Sequence, residues 1–117
     1  MNRGLKIAVT AVGTLLGLWF LLAGSMKFLS SAAFEVMFAD FGLPLWGVPV
    51  IGILELLGAV LVIIPRTAMY GAGVIFVVMV GAASCHLLTG QGSPAGALVA
   101  LLMAAFVAGL RFRAARS

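Results

Sequence analysis

The sequence predicts an all-α membrane protein: a four-transmembrane-helix bundle with a short interfacial helix between the first two spans and both termini cytoplasmic. Three observations predict it. The 117 residues are 64% hydrophobic and 9% charged, with a mean hydropathy of +1.28, far from the balance of a water-soluble domain. The apolar residues gather into four runs, each near the roughly 20 residues that a helix needs to cross a bilayer. The runs are continuous, without the alternation that barrel strands require.

The first span is expected over 5–27. Its core, LKIAVTAVGTLLGLWFLLA (Leu5 to Ala23), is interrupted only by Lys6 and two threonines, whose hydroxyls can return to the helix backbone. Its basic start and the small residues Ala23-Gly24-Ser25 imitate a cleavable signal, but the apolar stretch exceeds the roughly 7 to 15 residues of such a core, so it is read as a retained helix. SSAAFEVMFADFGLPLW follows, too short and polar to cross. A helix over 32–41 puts Phe34, Met37, Phe38 and Phe41 on one face, with Glu35 and Asp40 away from it. Gly42 and Pro44 stop it, and Trp46 is the expected aromatic anchor of this interfacial helix. The second span, 48–64, ends at Pro65-Arg66; the third, 67–88, ends before the turn TGQGSP; the fourth, 95–110, ends at the basic tail RFRAARS.

Orientation follows from lysine and arginine. With the N-terminus inside, Arg3, Lys6, Arg66, Arg111, Arg113 and Arg116 are all cytoplasmic and only Lys27 lies outside. The net charge of +4 therefore needs no nucleic acid to explain it. The expected location is a bacterial cytoplasmic (inner) membrane, with lipid as the first partner. Small residues mark packing faces: Gly13 and Gly17 on the first span, and Gly96, Ala100, Ala104 and Ala108 on the last. Such rows let helices approach closely in lipid, either within the bundle or against a second copy in a homo-oligomer.

Glu55, in GILELLGAVLVII, is the residue most in need of a reason. An ionisable group at mid-span costs roughly 2.5 to 3.5 kcal/mol on insertion scales, so it must face protein or water. Gly52 and Ala59 share its face, which turns it toward a close neighbour. By topology two other rare residues reach the outer half: Lys27 at the end of the first span and His86 near the end of the third. These three are the expected ligand-binding or proton-exchanging residues, with Ser25, Cys85 and Gln91 as pocket lining. The plainer reading is a polar staple that fixes helix register. One His, one Cys and a Glu give no metal-ligand spacing, and the single cysteine excludes an intrachain disulfide or a CxxC couple. No nucleophile, base and acid set is present, so the chain is expected to act without a catalytic centre or intrinsic cofactor of its own.

AGSMKF (Ala23 to Phe28), FGLP (Phe41 to Pro44), ILELLGA (Ile53 to Ala59), Pro65-Arg66 and the late His86 resemble the DoxX-like membrane proteins over about Gly13 to Leu110. The resemblance implies a four-helix membrane bundle, places the family's Lys, Glu and His at Lys27, Glu55 and His86, and implies association with membrane redox complexes or with receptor assembly. Three functions follow as expectations: an accessory subunit of a membrane redox complex with an outer-half pocket for a quinone-like or other lipid-like ligand; an assembly chaperone or interaction subunit whose polar cluster is structural; and a small proton-coupled exporter, whose dual-topology dimer the six-to-one charge bias disfavours.

Overall fold

The computed structural model describes residues 1–90 and 92–116. Among them it forms five helices and no strand: α1 (Arg3–Leu29), α2 (Ser31–Asp40), α3 (Gly47–Ile63), α4 (Ala68–Thr89) and α5 (Ala95–Arg116). Hydropathy located the apolar stretches but not the helix ends. α1 begins earlier than its apolar run because Asn2 caps it, accepting from the Leu5 N–H at 2.8 Å. α5 continues through RFRAAR to Arg116, since arginine and alanine are strong helix formers wherever the lipid ends. The α3–α4 turn is tied by Thr67, whose hydroxyl donates to the Leu61 carbonyl at 2.8 Å and so satisfies one of the carbonyls orphaned at a helix end.

Four helices pack in a ring: α1 lies along α3, α3 along α4, α4 along α5, and α5 returns to α1, while α2 leans on α3 and α1. The core is made of small and branched side chains, with Val9 and Leu16 of α1, Ala59 of α3, Ala72 and Ile75 of α4, and Ala100, Ala104 and Val107 of α5 all fully buried. Glycines set the spacing. A Cβ on Gly71 would strike the Val62 nitrogen and stand 2.6 Å from the Gly58 carbonyl oxygen, so α3 and α4 touch backbone to backbone there. A Cβ on Gly24 would lie 2.9 Å from the Gly52 oxygen, which gives α1 and α3 the same intimacy.

The outer surface inverts the pattern of a soluble protein. Leu18, Leu22 and Leu102 are 56%, 64% and 67% exposed, on helices whose backbone groups are satisfied internally, as a lipid environment demands. α1, α4 and α5 are long and apolar enough to cross a membrane; α3 is a shorter apolar helix of 17 residues. This is a multi-helix membrane protein.

α2 does not lie with its apolar face outward. Phe34, Met37, Phe38 and Phe41 turn into the bundle and roof a cavity between the other four helices, while Trp46 in the following turn is 69% exposed. The chain leaves α2 through Gly42 at φ +77, with the Leu43 N–H donating to the Phe38 carbonyl at 2.8 Å, a Schellman closure that favours glycine.

Candidate functional site

The cavity under α2 has a volume of 630 Å³. Its wall is apolar and aromatic, with Trp19, Phe20, Ile51, Leu54, Val77 and Met79 among its members, and it carries few polar side chains: Lys27, Glu55, Cys85 and His86.

The register of α1 on α3 explains how Lys27 and Glu55 meet. Gly13 faces Val62, Gly17 faces Ala59 and Gly24 faces Gly52, so the helices run antiparallel. Lys27 lies three residues beyond Gly24 and Glu55 three beyond Gly52, which separates their Cα atoms by about 9 Å along the axis at 1.5 Å per residue. Each side chain leans toward its own helix N-terminus, and on antiparallel helices those directions converge. Lys27 Nζ stands 2.6 Å from Glu55 Oε1. Both residues are buried, Glu55 to 3% exposure. The contact is an ion pair by distance, and Oε1 is enclosed, with no hydrogen bond of acceptable geometry among the described residues. The ammonium is also 4.6 Å from the Phe34 ring centroid, a cation–π contact that links the pair to the roof.

His86 is placed differently. Gly58 faces Gly71 and Ile75 of α4, so Glu55, about one turn earlier on α3, faces the region near residue 76. His86 lies about ten residues further, some 15 Å along the axis. It borders the same cavity but stands at its α2 end, edge-on to Phe41 with ring centroids 5.0 Å apart. Lys27 and Glu55 are thus paired, and His86 borders the same cavity, its backbone about 15 Å along the axis from that of Glu55 and about 6 Å from that of Lys27.

The other expected residues divide similarly. Cys85 borders the cavity and Ser25 does not; Gln91 lies outside the described residues. Gly13 and Gly17 press against α3, Ala100 and Ala104 are fully buried, and Ala108 is half-buried. Gly96 departs from its row. A Cβ there would meet nothing within 4 Å, because Gly96 edges the cavity. Sequence reasoning missed the Gly58–Gly71 contact and the role of Gly24. Their signal was present, since Gly24 and Gly52 each precede an ionisable residue by three positions and so share its face.

The model of the DoxX-like family matches residues 11–110, which takes in the α1–α3 contact, the roof helix and both ends of the cavity. The chain belongs to the DoxX-like family. This DoxX-like protein is also similar to YdgD, an uncharacterised protein of Bacillus subtilis (strain 168), with 39% identity over 88 residues, covering 71% of this chain and 77% of YdgD. No solved structure matches it.

Proposed function

We propose that this DoxX-like protein is an accessory subunit of a membrane redox complex, and that its cavity holds the ring of a quinone-like lipophilic molecule. In this reading α1, α3, α4 and α5 all cross a bacterial cytoplasmic membrane. Arg3, Lys6, Arg66, Arg111, Arg113 and Arg116 lie on the cytoplasmic side with both ends of the chain, and the α2 end faces outward. The 17 residues of α3 span about 26 Å, sufficient for a slightly thinned hydrocarbon core.

One observation carries the reading: a buried Lys27–Glu55 pair on the wall of an otherwise apolar cavity. Two desolvated charges contribute little net stability compared with a well-packed apolar pair, and inside a membrane such groups favour function. A cavity of 630 Å³ falls in the range of small-molecule sites, where an apolar wall takes the body of a ligand and a few polar groups orient it. Lys27 supplies a donor for a ring oxygen, and Glu55 positions that donor and can accept a ring hydroxyl. His86, whose backbone lies about 15 Å from that of Glu55 along the axis, is assigned proton exchange nearer water.

The test is thermal denaturation in detergent with a short-tailed benzoquinone. The wild-type midpoint should rise with ligand concentration, the rise should vanish in Glu55→Gln, and it should shrink in His86→Ala. An unresponsive wild type, or an equal rise in wild type and Glu55→Gln, refutes the proposal. The reading as an assembly chaperone has one observation in its favour, the closed 2.6 Å pair bolting α1 to α3. It requires stabilisation by a copurifying membrane protein and indifference to quinones.

A further inference from the structure

We propose that the end of the bundle opposite α2 carries a specific site for an acidic phospholipid, its headgroup held by Lys6 and Arg111 and an acyl chain laid along α1. Charge distribution is the first ground. The three side-chain carboxylates, Glu35, Asp40 and Glu55, belong to α2 and to the Lys27 pair, so neither Lys6 nor Arg111 shares its end of the bundle with an acidic side chain. Lys6 and Arg111 are brought to one face there. Arg111 Nη2 donates to Thr10 Oγ1 at 3.3 Å, and Lys6 is one helical turn before Thr10 on the same side of α1. The Arg111 Nε is enclosed and has no hydrogen-bond partner among the described residues, so the group's contact with α1 runs through Nη2.

The second ground is shape. A shallow groove of 690 Å³ starts at Lys6 and runs past Ile7, Thr10, Ala11 and Thr14 to Leu15. The nine residue steps from Lys6 to Leu15 rise about 14 Å, close to one leaflet of a hydrocarbon core about 30 Å thick. The groove carries its only charge at the Lys6 end, and Ile7, Ala11 and Leu15 alternate with two threonines along its length, a profile that suits one lipid better than a water-soluble anion. Phosphate oxygens match the guanidinium fork and the ammonium, and the apolar run matches a single chain.

Native mass spectrometry of the protein in neutral detergent tests this, using equimolar phosphatidylglycerol and phosphatidylcholine with identical chains. The wild type should retain phosphatidylglycerol preferentially. A basic residue near an anionic headgroup contributes about five-fold, so Lys6→Gln/Arg111→Gln should lower the preference about 25-fold. Arg113→Gln/Arg116→Gln should leave it unchanged. Thr10→Val keeps both charges but releases Arg111, and should lower the preference a few-fold; it decides the matter if the double variant does not stay monodisperse. Equal retention of the two lipids by wild type, an unaltered preference in Lys6→Gln/Arg111→Gln or Thr10→Val, or an equal loss in Arg113→Gln/Arg116→Gln would each overturn the proposal, the last by showing that the attraction is diffuse.

Discussion

The two halves of this bundle use the same four helices for opposite ends. Away from α2, small residues let the helices touch: Ala59, Ala72, Ala104 and Val107 are fully buried and Gly71 meets the α3 backbone. Toward α2 the same helices carry Trp19, Phe20, Ile51 and Leu54, diverge, and enclose 630 Å³ under a roof of aromatic side chains. The charges follow the same division. The open half buries an ammonium against a carboxylate, while the closed half keeps its cations at the rim. In lipid, where helices gain nothing from hiding apolar surface, side-chain size decides which segments close and which hold space. One half closes the helices on one another, and the other leaves a cavity between them.

The comparison can be broken most severely at the buried pair. Glu55→Leu leaves Lys27 desolvated with no countercharge and should destabilise the protein by about 3–5 kcal/mol, measured by thermal denaturation in detergent. Lys27→Met/Glu55→Leu should recover most of that loss, because two apolar side chains of similar volume replace the pair. Glycine substitutions sharpen the contrast with opposite signs. Gly71→Ala drives a methyl group into the Val62 and Gly58 backbone and should cost about 1–3 kcal/mol. Gly96→Ala, where a Cβ meets nothing, should stabilise by about 0.5–1 kcal/mol through helix propensity. The smallest effect is expected at the roof. Phe34→Leu removes the ring beside Lys27 at about 0.5 kcal/mol, and loosening α2 should raise the maleimide labelling rate of Cys85, the only cysteine in the chain, which borders the cavity.

Much of this division was legible in the residues. The spacing of Phe34, Met37, Phe38 and Phe41 defined one apolar face without any structure, although that face could not say whether it would meet lipid or the chain's own cavity. The scarcity of ionisable residues singled out Lys27, Glu55 and His86. Linear order brought all three toward one end, but only helix register shows that two of them lean together and the third stands further along. Register depends on glycine contacts such as Gly24 with Gly52, and a glycine inside an apolar run has no visible partner until two helices are laid side by side. Gly96 illustrates the reverse error: a row of small residues continues to the edge of the cavity, so its periodicity carries no mark of where packing ends.

The most direct test of the central claim asks whether the pair serves the cavity or the fold. Thermal denaturation of Lys27→Met/Glu55→Leu should be followed with and without a short-tailed benzoquinone, beside the wild type. The account predicts a folded variant with a midpoint near that of the wild type and no shift on adding the quinone. A variant that still shifts as the wild type does, or one that cannot fold without its charges, would contradict it.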